Sequence, residues 1–231
     1  MSAKDTAKIV TPETTTGDFL ANVDVFQKLP TGARRALESS LKAAHFDKHE
    51  SIFLEDDKAA AIWFVQQGYV KEVYYSAEGK IKVFSLVGPN GMFGVGAFTE
   101  RDYGCHCIAL TETTVTPVPL AVFQTLLGKY PEMAQAVLSH ISGLLRDAKE
   151  MEAYSHEKVE IRILHLLLRL VGQFGNTIPL TRRDIGEMAG TTVETAIRVL
   201  SRFEKSGLVS NVWGHVTVKD AQVLKAMVEK L

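Results

Sequence analysis

Only two cysteines, Cys105 and Cys107, occur in the 231 residues, and none precedes position 105. Two thiolates cannot supply the four ligands that an iron–sulfur cubane usually takes, which disfavours that cofactor. None of the seven histidines forms a His-x-His pair. A cupin-like metal enzyme needs several His and carboxylate ligands converging from neighbouring strands, and His106 could supply only one, so the chain is read as a non-enzyme with no catalytic residues. No apolar run approaches the roughly 20 residues of a membrane span, and no signal-peptide pattern opens the chain, which implies a cytoplasmic protein. A strong charge of either sign is also missing, the formal net charge being −1. That value hides an asymmetry: residues 154–231 carry 11 Lys/Arg against 8 Asp/Glu, and the remainder 15 against 19. The two parts face different partners, and the length suffices for two cored domains.

The most legible stretch is LTRRDIGEMAGTTVETAIRVLSRFEKSGLV, Leu180 to Val209. Thr181 can cap a first short helix of about two turns, with Asp184 in capping-box spacing. Gly186 leaves room for a second helix to cross closely, and Gly190 suits a tight turn that needs positive φ. Thr192 can then cap a second helix whose Ala196, Val199, Leu200 and Phe203 face inward, while Val193, Glu194, Ile197 and Arg198 project outward. This pattern predicts a helix-turn-helix.

Glu194 and Arg198, four residues apart, set an acceptor beside a forked donor on one face. A surface ion pair is the plain alternative. In a major groove the same pair reads G·C, because Arg bonds guanine O6 and N7 and Glu accepts from cytosine N4, at about 1–3 kcal/mol of discrimination each. Thr192, Thr195 and Arg202 are candidate phosphate contacts. After the second helix, Val212 and Trp213 lead into Gly214, and the alternation His215, Val216, Thr217, Val218 completes a two-stranded wing.

These motifs, at the C-terminal side of a chain of this length, resemble the cyclic-AMP receptor protein and fumarate-nitrate regulator (CRP/FNR) family of bacterial transcription factors. The resemblance extends from about Phe26 onward. It implies an α+β fold with an N-terminal β-roll of the cyclic-nucleotide-binding, double-stranded jelly-roll type, a long dimerisation helix and a C-terminal winged helix-turn-helix.

The expected domains are a flexible N-terminal arm (1–18), a β-roll sensor (19–128), a dimerisation helix (129–154) and a DNA-binding domain (155–231). FLANVDVFQKLPTGARRALESSLKAAHF reads as short helices broken at Pro30 and Gly32. The strand-like runs that follow show alternation at Tyr69, Val73 and Tyr75, then Ile81, Val83 and Val87. Ala77-Glu78-Gly79 and Pro89-Asn90-Gly91 serve as turns. Ala134, Val137, Ile141, Leu144, Ala148 and Met151 fall at heptad spacing, which predicts a two-stranded seam with Leu138 and Leu145 turned toward the roll. Tyr154 to Lys158 is the expected hinge. Val159 to Val171 is an apolar scaffold helix closed by Gly172 and Gly175.

In the family, a phosphate cassette in the roll holds a cyclic nucleotide through a Gly-Glu pair and a later Arg-Ser pair. The matching segment here is FGVGAFTERDYGCHCIAL. Gly94 keeps the glycine, but Val95 stands in place of Glu, and Cys105 and His106 in place of Arg and Ser. Asp147 and Ala148 fall where the long helix contacts adenine, with Leu144 nearby. A buried cyclic phosphate without its guanidinium leaves a charge unpaired, which disfavours cyclic AMP. Arg101, in the adjacent loop, could supply the missing cation if the loop folds differently.

On a strand, Cys105 and Cys107 share one face and His106 the other, which separates the thiols too far for a bridge unless the strand breaks. All three serve plainly as β-roll side chains. The alternative is haem-based sensing of nitric oxide or carbon monoxide by His106 or one cysteine, or redox sensing. By resemblance, the ligand positions of the carbon-monoxide sensor match Gly94 and Gly96. The effector pocket therefore comprises Gly94, Val95, Gly96, Cys105, His106, Cys107, Leu144, Asp147 and Ala148, and its occupant is a small molecule or a gas.

The resemblance implies a homodimer binding palindromic double-stranded DNA, in contact with RNA polymerase. Val193-Glu194-Thr195 followed by Arg198 is similar to the fumarate-nitrate branch and implies TTGA-like half-sites. Ile197 stands in place of that branch's Ser.

Overall fold

A computed structural model of the chain describes residues 19–75, 81–212 and 214–228. The expected N-terminal arm, the Ala77-Glu78-Gly79 turn and Trp213 of the wing lie outside the described residues. The chain divides into two compact units, one made by residues up to Tyr74 with Phe84–Leu144, the other by Leu145 onward with Tyr75–Val83.

The first unit opens with a 3-10 turn (Phe19–Asn22) and helices α1 (Asp24–Gln27) and α2 (Thr31–Ser40). Pro30 is the N-cap of α2 and Gly32 lies inside its first turn, so only the proline marks a boundary. Ala44–Phe46, which the sequence suggests as the end of the helical run, is strand β1, paired antiparallel with β8 (Thr113–Pro119). Its partner lies so far along the chain that no local pattern shows the pairing.

Strands β2 (Ser51–Phe53), β3 (Ala61–Gln67), β4 (Val70–Tyr75), β5 (Ile81–Val87), β6 (Met92–Phe93) and β7 (His106–Ala109) complete the roll. Two four-stranded sheets run β1-β8-β3-β6 and β2-β7-β4-β5. Phe26, Phe64 and Phe123 meet ring to ring in the core, the last from helix α3 (Leu120–Lys129). At the Pro89-Asn90-Gly91 turn, Asn90 takes φ 66°, and the Gly91 N–H donates to the Gly88 carbonyl at 3.0 Å. Along Tyr69 and β4 the alternation of Tyr69, Val73 and Tyr75 misleads. Val70 joins the core cluster, yet Lys71, Glu72 and Val73 are buried too, so both faces of the strand are covered.

Helix α4 (Pro131–Ala153) corrects the expected seam. Val137 is 6 % exposed and Met133 fully buried, whereas Leu138 is 64 %, Ile141 38 % and Leu145 56 % exposed. The expected stripe of Val137, Ile141, Leu144 and Ala148 and the exposed one of Leu138, Ile141 and Leu145 share Ile141 and differ by one residue on either side of it, and one residue turns a helix by about 100°. Met133 and Val137 fill the inner stripe, which leaves Leu138, Ile141 and Leu145 as the exposed ridge.

In the second unit, α5 (Val159–Phe174) buries Ile163, Leu164, Leu166, Leu167 and Leu170. It runs through Gly172 and ends at Gly175, whose φ is 73°, so a single glycine closes it. Between α4 and α5, the Tyr154 ring stacks on His165 with centroids 3.5 Å apart. Helices α6 (Arg182–Met188) and α7 (Val193–Lys205) follow. Strands β10 (Val209–Val212) and β11 (His215–Val218) form the wing, with Gly214 at φ 80°. A third strand, β9 (Thr177–Ile178), pairs with β11, and α8 (Ala221–Val228) ends the described chain. The architecture is a β-roll, a long helix and a winged helix-turn-helix.

Candidate DNA-reading surface and effector cassette

Each helix of the reader starts on a side-chain cap. The Thr181 hydroxyl accepts from the Asp184 N–H, and the Asp184 carboxylate accepts from the Thr181 N–H at 3.0 Å, closing a capping box. Thr192 accepts from the Thr195 N–H at 3.3 Å, and Gly190 makes the turn at φ 62°. Gly186 faces Ala196 where α6 and α7 cross. Ala196, Val199, Leu200 and Phe203 are buried.

Glu194, Ile197 and Arg198 are exposed on the outer face of α7, with Val193 and Thr195 half-buried beside them. Two ion pairs that sequence reading missed hold this frame. Arg182 donates to Ser201 and to Glu204 at 3.0 Å, tying α6 to α7, and Glu204 accepts from the Asn211 N–H, tying α7 to the wing. The Asn211 N–H is the first cause that holds the Glu204 carboxyl below its ordinary value. Arg202 is engaged with Glu160 of α5 at 2.9 Å, so it meets a phosphate only by leaving or sharing that partner.

In the roll, Gly94 takes φ 71° and caps a 3-10 turn, Val95–Phe98. A methyl group at Gly94 would meet Trp63 at 3.1 Å and Tyr103 at 3.3 Å. Tyr103 stacks on Phe53 at 3.8 Å, accepts from the Trp63 indole N–H at 2.8 Å and donates to the Ala61 carbonyl. Aromatic side chains thus fill one side of the cassette turn, and Val95 packs against the core.

Cys105 and Cys107 both face the core as free thiols, and His106 turns away toward Glu55 at 3.4 Å. Burial first, then the charge of Glu72, pushes both thiols well above their ordinary value. Arg101 has an exposed side chain. Leu144 lies on α4 at the end of the first unit, while Asp147 and Ala148 belong to the second. A cleft of about 750 Å³ in the first unit is lined by Asn22, Asp24, Gln135 and His140 among others, and by none of the cassette residues.

The cassette's donors do not fit an iron–sulfur cluster. The two thiols are buried in protonated form, and the imidazole points to the opposite face of the strand, so no ligand pair converges. Among the described residues no group of three or more His, Cys, Asp or Glu could hold a metal ion. Among them, too, no helix is long and apolar enough to cross a membrane.

The residue the sequence reading passed over is Glu72. It is 5 % exposed and accepts from the Gly94 N–H at 3.1 Å and from the Ser85 hydroxyl. Its one sequence signal is strand parity with the core residue Val70.

A β-roll with a cassette turn, joined to a capped helix-turn-helix and wing, defines a two-domain DNA-binding regulator with an effector-type sensor domain. The family profile described as Crp-like helix-turn-helix domain matches residues 161–227, and that of the cyclic nucleotide-binding domain matches residues 43–130. The chain belongs to the CRP/FNR family of transcription regulators. It is 27 % identical over 182 residues to the anaerobic regulatory protein of Haemophilus influenzae, covering 75 % of this chain and 71 % of that one. It is 26 % identical over 191 residues to the fumarate and nitrate reduction regulatory protein of Salmonella typhimurium, covering 78 % and 76 %. In fold it is similar to the solved structure of FixK2 from Bradyrhizobium japonicum, with TM-score 0.73 and 22 % identity, covering 80 % of this chain and 96 % of that one.

Proposed function

We propose that the chain acts as a homodimer that binds palindromic DNA with TTGA-like half-sites and contacts RNA polymerase, in the cytoplasm, under control of a signal other than cyclic AMP. The observation that carries this reading is the exposed Glu194 and Arg198 pair on the outer face of a capped helix next to a wing. The one G·C pair of TTGA offers guanine O6 and N7 to Arg198 and cytosine N4 to Glu194. Ile197, exposed between them, offers an apolar contact where the fumarate-nitrate branch has a hydroxyl. Thr192 and Thr195 stand ready for phosphates, as does Arg202 once it exchanges Glu160.

The ridge of Leu138, Ile141 and Leu145 supports a dimer, since spacings of three and four on an exposed helix face suit a two-stranded seam. Two-fold symmetry sets the recognition helices about 34 Å apart, in successive major grooves. The absence of a guanidinium at Cys105 and of a carboxylate at Val95 supports an effector other than a cyclic nucleotide.

The test measures fluorescence anisotropy of the full chain, at fixed salt, on duplexes carrying two TTGA half-sites one turn apart or offset by a further half turn. Tight binding to the first and weak binding to the second supports the reading. Equal binding to both, or to an unrelated duplex, would falsify it.

A further inference from the structure

We propose that Glu72 is the internal ligand of the cassette, a carboxyl group of the chain itself that takes the Gly94 backbone donor and makes the site reject cyclic nucleotides and other anions. This deepens the reading of the roll as a sensor domain and rests on it. The Gly94 N–H opens the Val95–Phe98 turn, and a free backbone donor in that place is what an anion would use. Here the Glu72 Oε1 already holds it at 3.1 Å, with the Ser85 hydroxyl on the same carboxyl group. On the far side of Gly94 the Trp63, Tyr103 and Phe53 rings leave no space for a second occupant.

The surroundings carry the same sign. The charged groups that act on Cys105 are Glu72, Glu55 and Glu100, and the same three act on Tyr74. The Glu100 carboxylate lies against Gly104, where a methyl group would meet it at 2.8 Å. Lys71, the neighbouring cation on β4, points to the opposite face by strand parity. An incoming phosphate would therefore displace the Glu72 carboxyl group from its donors and settle beside two others, Glu55 and Glu100.

Glycine-selective 15N labelling of the full chain, combined with carbonyl-13C phenylalanine, isolates the two Phe-Gly pairs, 93–94 and 174–175. Gly175 is the internal control. In the wild type the Gly94 amide resonance is expected to stay fixed on addition of millimolar cyclic AMP or inorganic phosphate. In Glu72→Ala, with the donor released, it is expected to move on phosphate addition. Glu72→Gln, which keeps the acceptor and the shape, should fold normally and show a Gly94 amide that no longer titrates with pH, while the wild-type amide does.

A wild-type Gly94 resonance that shifts saturably with either anion overturns the proposal. So does a Glu72→Ala variant indifferent to both, and so does a Gly94 amide that is the same in all three proteins. Each of these leaves operator binding, measured separately, to decide the DNA-binding reading.

Discussion

A methyl group placed on Gly186 would lie 3.0 Å from the Cβ of Ala196, so α6 and α7 cross with no space for a side chain at the first position. The crossing sets where the outer face of α7 points, and with it Glu194 and Arg198. Gly186→Val is expected to destabilise the second unit by about 1–3 kcal/mol through overpacking. Differential scanning calorimetry of the full chain should show that unit's transition lowered, with the β-roll transition in place.

The exposed ridge on α4 leads to a second expectation. Leu138→Asp with Leu145→Asp should convert the proposed dimer to a monomer in sedimentation velocity, because paired seam positions cannot bury two carboxylates. Met133→Ala, on the buried stripe, should instead lower the stability of the roll by about 2–5 kcal/mol and leave the sedimentation coefficient unchanged. A reversed pattern would restore the seam that runs through Val137.

Burial, the largest influence, holds the Glu72 carboxyl above its ordinary value of 4.5, and the hydrogen bonds from Gly94 and Ser85 pull the other way. The folded chain therefore binds this proton more tightly than the unfolded chain. The stabilisation is complete below about pH 4.5 and is lost as pH rises through the raised folded value. Glu72→Gln keeps the acceptor without the titration, so its melting temperature relative to wild type should climb as pH rises from about 4.5 through the raised folded value. A constant difference across that range would mean that Glu72 is ionised throughout.

The reader was legible because its determinants are local. Thr181 with Asp184, Thr192, Gly186 and Gly190 each act within a few residues, and the structure carries them as the spacing implies. The opposed faces of Cys105–Cys107 and His106 followed from strand parity in the same way. The misses depended on distant partners. Strand β1 exists through β8, β4 lost its alternation because both faces are covered, and the choice between the Val137 and Leu138 stripes turned on which one Met133 reinforces. Glu72 escaped notice because its donor, Gly94, comes from another strand connection altogether.

The central claim is that α7 reads base edges through Glu194 and Arg198, and selection from a pool of random duplexes at fixed salt tests it most directly. The wild-type chain should enrich a palindrome of TTGA-like half-sites one turn apart. Arg198→Ala should bind that site about 10–100-fold more weakly and lose selection at the guanine while keeping the flanking bases. Enrichment of no sequence by the wild type, or the same selected site with a uniform loss of affinity in Arg198→Ala, would contradict it, leaving α7 as a helix that only grips the backbone.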